Sequence, residues 1–291
     1  MRLLPSRRSS RRAKADKPAI RPRRMNFAYQ GLESTRYWYD NDPVLTHFMN
    51  VLSVTFPDGE RFFVDAVRAL RDRVSDPQQQ KDISGFIGQE AMHSLEHKAF
   101  NELIAGKGYE KLEQRALNVT RQLLAGARKQ LSAERQLAAT AGLEHITAIL
   151  ANAILSRPDQ VEKMDPAVRH LWVWHAIEET EHKAVAFDLY QDVDGSYWER
   201  QRAFFYGSLY LTVFTSYFTW QFLKQDGVHR RPLVLGKGLW KLFGYRGVVS
   251  QVIPDWFQYL RPGFHPWRED NTHLLEQWRK TLPEPAVSEA A

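Results

Sequence analysis

Apolar side chains along this chain recur every three or four residues, which is the spacing of one face of an α-helix. No stretch alternates apolar and polar residues as a half-buried strand does, and the chain has no Asn-Gly turn. The pattern therefore predicts an all-α protein. The predicted helices cover residues 42–54, 60 to about 74, 77 to about 105, 109–155 with a division near Ser132, and 166–191.

Helix-breaking residues set these boundaries. We expect Phe56-Pro57-Asp58-Gly59 to interrupt the first helix, because proline has no N–H to donate and clashes with the preceding turn. Asp76-Pro77 is a typical helix start, with an acidic cap followed by proline at the first helical position. Ser132 is a candidate cap within the long helix-prone stretch, and Pro158 and Pro166 bracket a connection.

One later segment is apolar enough to raise the question of a membrane. Residues 203–223 carry no formal charge and lie between Arg202 and Lys224. The length would suffice for a membrane span, but serines, threonines and tyrosines dilute the hydrophobicity. We expect a buried or interfacial helix, with a true span as the alternative. Residues 232–260 are aromatic and interrupted by glycine and proline, so we expect them to cap the preceding helices.

Two of the predicted helices carry the motif Glu-x-x-His. One contains Glu90 and His93, and the other contains Glu179 and His182. A separation of three residues places the carboxylate and the imidazole on the same helix face, one turn apart. Both side chains of such a pair can then bind one metal ion.

Two other helices each carry one glutamate on an otherwise apolar stripe, Glu60 and Glu144. Four carboxylates buried together would need counter-charges, and these stripes contain no arginine. The order Glu, Glu-x-x-His, Glu, Glu-x-x-His is typical of ferritin-like di-iron and di-manganese proteins. The sequence therefore predicts a ferritin-like four-helix bundle that binds two metal ions, with residues 107–131 as the long connection between its second and third helices.

Two residues on the last of these helices leave the ligand set open. His175 lies one turn before Glu179, and we expect it to be either a seventh ligand or a hydrogen-bond partner that orients a carboxylate. Glu178 could take the place of Glu179, but the spacing to His182 favours Glu179.

Two more histidines lie close to the motifs. His97, one turn beyond His93, is a further candidate ligand or supporting residue. His145 points about 100° away from Glu144 on the helix, so we expect it beside the site or at the surface.

The ligand chemistry narrows the choice of metal. The chain has no cysteine, which excludes disulfides, zinc-thiolate sites, iron–sulfur clusters and thiol nucleophiles. Carboxylates and imidazoles suit iron or manganese. We expect two iron ions, with manganese or a mixed iron–manganese pair as alternatives and zinc less favoured. The lack of cysteine also fits a cytoplasmic location.

Charge is distributed unevenly. Residues 1–24 contain ten Lys/Arg and one Asp, although the whole chain has a formal charge of only +6. We expect this arm to be disordered, because it has almost nothing apolar to bury. Electrostatic contact with anionic lipid or nucleic acid is an alternative role, and nothing in the rest of the chain indicates a specific nucleic-acid partner. The expected order is a basic tail (1–24), a di-metal bundle (25–195), an aromatic-rich helical extension packed on the bundle (196–282) and a loose C-terminus (283–291).

Several segments resemble a bacterial family known as predicted metal-dependent hydrolases. The resemblance covers roughly residues 25–270 and is most specific in WHAIEETEHKAVAFD (174–188). It rests also on LSVTFPDGERFFVDAVR (52–68), FIGQEAMHSLEH (86–97), GLEH (142–145) and RPGFHPW (261–267). The family pattern implies as metal ligands Glu60, Glu90, His93, Glu144, Glu179 and His182. The spacing from His175 to His182 is also similar to that of the di-iron arylamine N-oxygenases, in which an additional histidine binds iron.

These features favour an O₂-activating di-iron oxidase or oxygenase. Its partners would be O₂, an electron donor and a small, lipophilic organic substrate. The alternative is hydrolysis by a metal-activated water, as the family name implies. Metal storage or sensing is a third, less favoured function. A homodimer and a peripheral membrane contact both stay open.

Overall fold

The computed structural model describes residues 17–286, and nearly all of its regular structure is helical. The one β-pairing within this range is an isolated bridge between Tyr39 and Met164. The all-α prediction is therefore confirmed. The α-helices of the described residues are α1 Pro43–Arg68, α2 Pro77–Ala105, α3 Glu110–Gln130, α4 Ala133–Leu155, α5 Pro158–Val161, α6 Pro166–His182, α7 Val185–Asp192, α8 Tyr197–Gln225, α9 Pro232–Phe243, α10 Ile253–Gln258 and α11 Thr272–Arg279.

Helices α1, α2, α4 and α6 form a four-helix bundle. α1 packs along α2 and α4, and α6 packs along α4 and α2. α3 links α2 to α4 while it packs against α1 and α2, so it is the long connection predicted between the second and third bundle helices. Each of the four bundle helices carries part of the predicted ligand set.

Three of the bundle helices begin at an Asp-Pro pair. The carboxylates of Asp42, Asp76 and Asp165 accept hydrogen bonds from backbone N–H groups of the first turn. The proline that follows each aspartate lacks the N–H that would otherwise need a partner. α4 begins after Ser132, whose hydroxyl accepts from the N–H of Arg135 at 3.4 Å. The helix starts that the sequence predicts at these positions agree with the structure.

The predicted interruption at Phe56-Pro57-Asp58-Gly59 is wrong, because α1 continues through it. Pro57 cannot donate to the carbonyl of Ser53, four residues earlier. The side-chain amide of Asn101 on α2 donates to that carbonyl instead, at 3.0 Å. The neighbouring helix thus satisfies the group that the proline leaves unpaired.

The single helix predicted over 166–191 is also wrong, because α6 ends at His182 and α7 begins at Val185. Lys183 lies at this break and is buried. Its ammonium donates to the Glu269 carbonyl and to the Asn271 side chain, both at 2.8 Å. These contacts come from a segment more than eighty residues later, so no local pattern indicates the break.

Residues 203–223 lie within α8, which packs on α4 and α1. The approach to α4 is close, since a Cβ at Gly142 would stand 3.1 Å from Cα of Phe204. The opposite side of α8 is exposed. By length and hydropathy, the helix of the described residues that could cross a membrane is α4, and 61% of its apolar window is buried inside the fold. The domain boundaries at 25–195 and 196–282 stay predictions.

Residues 17–24 pack on the bundle, which corrects part of the predicted disordered tail (1–24). A Cβ at Gly85 would stand 2.5 Å from the carbonyl oxygen of Ile20, and one at Gly88 would overlap the ring of Pro22. Two glycines on α2 therefore allow this segment to cross the helix in direct contact. Residues 1–16 of the predicted tail and 287–291 of the predicted loose C-terminus lie outside the described residues.

Candidate metal centre

The side chains that the sequence predicts as ligands meet inside the bundle. Each of the seven is between 0 and 5% exposed. They come from all four bundle helices: Glu60 from α1, Glu90 and His93 from α2, Glu144 from α4, and His175, Glu179 and His182 from α6.

Six of these side chains form two groups that could each hold a metal ion, with ligand atoms within 4.8 Å of one another. The groups are Glu60 with His93 and His175, and Glu90 with Glu179 and His182. Glu144 adjoins the second group, because its Oε2 lies 3.4 Å from Nε2 of His182. The structure therefore brings all seven predicted ligands together.

Two carboxylates lie between the groups. Oε1 of Glu179 is 3.0 Å from Nε2 of His175, and its Oε2 is 3.5 Å from Nε2 of His182. Oε1 of Glu90 is 3.2 Å from Nε2 of His182 and 3.7 Å from Nδ1 of His93. Glu90 and Glu179 therefore each approach imidazoles of both groups, so they could help to hold an ion at either one.

Polar atoms of this cluster are left without hydrogen-bond partners within residues 17–286. A buried polar atom without a partner costs about 1–3 kcal/mol, and native proteins have few of them. Nine such atoms in one cluster fit a site that binds metal ions. They are Oε1 of Glu60, both carboxylate oxygens of Glu90 and of Glu144, Oε2 of Glu179, both ring nitrogens of His93 and Nε2 of His182.

The carboxylates cannot all hold a negative charge in this apolar interior without cations. Burial and neighbouring carboxylates raise the pKa of Glu60 and of Glu90 well above its usual value. Burial and the charge of Glu179 raise the pKa of Glu144 to about 7. Burial also acts to raise the pKa of Glu179, but the neighbouring imidazoles, His182 foremost, outweigh it and hold that pKa well below its usual range. Two divalent cations would supply the missing positive charge.

A chain of hydrogen bonds orients His175. The amide nitrogen of Asn101 donates to the Ser53 carbonyl, so the amide oxygen accepts from Oγ of Ser53 at 2.6 Å. Oγ of Ser53 then accepts from Nδ1 of His97 at 2.8 Å, and Nε2 of His97 accepts from Nδ1 of His175 at 2.7 Å. Nε2 of His175 is left with its lone pair towards the cluster, as a metal ligand requires. His97 therefore supports His175 from outside the cluster.

Gln89 orients His182 in the same way. Its amide nitrogen donates to Oε2 of Glu181 at 2.6 Å and to the Arg21 carbonyl at 3.2 Å. The amide oxygen therefore accepts from Nδ1 of His182, at 2.9 Å, and leaves the lone pair of Nε2 for a metal. Gln89 is not part of any motif in the sequence, and its position next to Glu90 is the one local signal that could have indicated its role.

Glu178 lies behind His93 and outside the two groups. Its Oε2 is 3.1 Å from Nε2 of His93, while its Oε1 accepts from the Trp174 indole at 3.0 Å and from Arg23 at 2.9 Å. The structure thus places Glu179 in the cluster, in the register that Glu-x-x-His predicts. Arg23 was missed, because it belongs to the segment that was expected to bury nothing.

His145 does not support the cluster, which corrects that expectation. Its Nε2 lies 3.0 Å from the Asp255 carbonyl, and its ring packs among Phe204, Tyr259 and Phe264. Burial lowers its pKa to about 4. His145 therefore belongs to the contact between α4 and the C-terminal helices.

Arg23→Ala should lower the free energy of unfolding by about 3 kcal/mol, measured by urea denaturation. Arg23 pairs with Glu178 and with Glu181, at 2.9 and 2.7 Å, and both carboxylates are fully buried. Removing Arg23 leaves the buried Glu178 without an arginine partner, whereas Glu181 keeps Arg279 at 2.7 Å. Arg24→Ala is the matched control, since Arg24 is exposed. Equal stability of the two variants would contradict this role of Arg23.

Fold and site together define a helical-bundle metalloprotein with a buried cluster of carboxylates and imidazoles. The chain belongs to the family described as predicted metal-dependent hydrolase, whose model matches residues 21–270. The resemblance drawn from the motifs is thereby confirmed. No curated protein and no solved structure matches the chain significantly.

Proposed function

We propose that this protein is an O₂-activating di-iron oxidase or oxygenase that acts on an organic substrate. The observation that carries the proposal is the pair of ligand groups that share Glu90 and Glu179 inside an apolar bundle. Four carboxylates and three imidazoles, with no thiolate in the chain, suit iron. Two ferrous ions bound there would supply electrons that reduce O₂. An external donor would then supply new electrons to the ions.

The protein itself shields such a centre from water. The ring of Phe56 packs on His175, with centroids 4.7 Å apart, and Trp174 packs on His93 at 4.8 Å. Phe86 packs in the same way on His182, at 4.9 Å. Exclusion of water strengthens electrostatic interactions in the site and protects reactive species from side reactions. Gln89 and His97, which orient two of the imidazoles, would keep the ligand geometry fixed.

Metal-dependent hydrolysis is the second candidate, and the description of the family favours it. Two ions would then supply an activated water and polarise a carbonyl or phosphoryl group. Such a substrate is polar and bulky, and its reacting group must reach the ions. The ligands are 0–5% exposed, which suits a small apolar molecule such as O₂ better than a hydrated ester.

Anaerobic loading with ferrous iron followed by exposure to O₂ separates the two functions. We expect both bound ions to become ferric faster than free ferrous iron in the same buffer, as followed by absorption and Mössbauer spectroscopy. If the ferrous protein is inert to O₂ and the zinc- or manganese-loaded protein cleaves nitrophenyl esters or phosphodiesters, hydrolysis replaces the proposal.

A further inference from the structure

The exposed apolar side chains of this protein are concentrated in one region. Of the eighteen large hydrophobic side chains that are exposed within residues 17–286, fifteen lie between positions 198 and 257. Scattered apolar side chains are normal on a soluble protein, whereas a concentration of them marks an interaction surface. We call this region, formed by the exposed sides of α8, α9 and α10 and by the turn after α9, the apolar face; it includes Trp198, Trp220, Leu233, Trp240, Tyr245 and Phe257.

A cavity of about 530 Å³ opens in the apolar face. This volume lies within the range of ~300–1,000 Å³ typical of ligand pockets. Trp220, Leu239 and Phe243 line the cavity and are also 41–56% exposed, so they form its mouth. Leu52 and Ile149, which are buried, lie deeper. No charged side chain is among the described lining residues, which suits a hydrocarbon chain.

The surroundings of the face are basic. Residues 224–246 contain six Lys/Arg and one Asp, a formal charge of +5. The side chain of the one acid in this segment, Asp226, is 1% exposed and bound by His47 and Tyr109, at 2.9 and 2.8 Å, so it does not neutralise the surface. Within the described residues, only Lys241 of the six basic residues pairs with acids from outside the segment, Asp40 and Asp42. The exposed basic residues are Lys224, Arg230, Arg231, Lys237 and Arg246.

We propose that the apolar face docks on a membrane that contains anionic lipids, and that the cavity takes up an acyl chain of such a lipid. Trp and Tyr side chains favour the lipid–water boundary, and Lys and Arg are attracted to anionic headgroups. A second copy of this chain would fit less well, because a symmetric dimer through this face would bring two sets of five exposed Lys and Arg side chains together. The docking does not depend on the metal chemistry.

Co-sedimentation of the full chain with vesicles tests the docking. We expect binding to vesicles of phosphatidylcholine with phosphatidylglycerol, weaker binding to phosphatidylcholine alone, and release by high salt. Leu233→Ser/Tyr245→Ser should weaken binding at least about tenfold, because each side chain would be buried in the lipid boundary. These side chains are 88 and 87% exposed, so the fold should not change. Leu95→Ser on α2, at 53% exposure, is the matched control.

Three results would overturn the docking: no binding to the anionic vesicles, equal binding by wild type and Leu233→Ser/Tyr245→Ser, or a stable dimer that this double variant dissociates. The last result would assign the face to a second copy of the chain. Phosphatidylglycerol with a photoreactive group at the end of its acyl chain tests the cavity. Cross-links at Leu52 or Ile149 are expected, and cross-links confined to exposed residues would overturn the uptake of the chain.

Discussion

Glu90→Gln should lower metal affinity by more than the ~10–100-fold that loss of an outer-shell partner costs, and should leave the fold intact. Oε1 of Glu90 is close to both His182 and His93, so the amide would remove a negative charge shared by the two groups. Without metal, burial already raises the pKa of Glu90 and favours its neutral form. A neutral amide of similar shape should therefore not lower the free energy of unfolding of the metal-free protein.

Metal content after dialysis measures the loss of metal affinity. Urea denaturation in the presence of a chelator measures the free energy of unfolding of the metal-free protein. Glu102→Gln is the matched control, because Glu102 lies on the same helix and its side chain is 67% exposed. We expect the control to bind as much metal as the wild type. Full metal content in Glu90→Gln, or equal losses in both variants, would contradict the assignment of Glu90 as a shared ligand.

Above pH 6.5 the metal-free protein should lose stability as the pH rises, whereas the metal-loaded protein should gain it. The raised pKa values of Glu60, Glu90 and Glu144 mean that the folded state keeps protons that the unfolded state has released. Stability therefore falls as the pH rises towards these folded-state values, about 7 for Glu144, by ~1.4 kcal/mol per pH unit for each extra proton. The raised pKa of His182 acts in the same direction.

Histidines with a lowered pKa oppose this slope mainly at the lower end of the window. Burial lowers the pKa of His93 and of His97, so both are neutral in the folded state, and in the unfolded state, where the usual pKa is 6.5, they lose most of their protons within one pH unit above that value. The lowered pKa of Glu179 changes the stability of the protein only at more acidic pH. Metal binding needs deprotonated ligands, so its stabilising effect grows with pH. Urea denaturation from pH 6.5 to about 8, once with chelator and once with metal, measures how the free energy of unfolding changes with pH in each form. Changes of the same sign would contradict the competition between protons and metal.

The features that the sequence could predict depend on local spacing. Glu-x-x-His places two ligands on one helix face whatever the surrounding fold, so Glu90, His93, Glu179 and His182 could be paired without a structure. The Asp-Pro starts and the cap at Ser132 are likewise local, since each capping side chain bonds the first turn of its own helix.

The features that could not be predicted depend on contacts between distant segments. Asn101 satisfies the carbonyl that Pro57 leaves free, so α1 continues where a local rule predicts a break. Arg23 reaches Glu178 because glycines on α2 admit the N-terminal segment. Gln89 and Ser53 orient imidazoles on other helices, and those partners follow from the register between helices, which no single-helix pattern encodes.

The central claim is that one chain binds two metal ions within the cluster of Glu60, Glu90, His93, Glu144, His175, Glu179 and His182. Iron titration of the purified full chain under anaerobic conditions, with metal content determined after removal of free iron, tests this most directly. We expect about two iron ions per chain, because the bundle contains two Glu-x-x-His helices. One tightly bound zinc per chain, with no iron bound at any concentration tested, would contradict it.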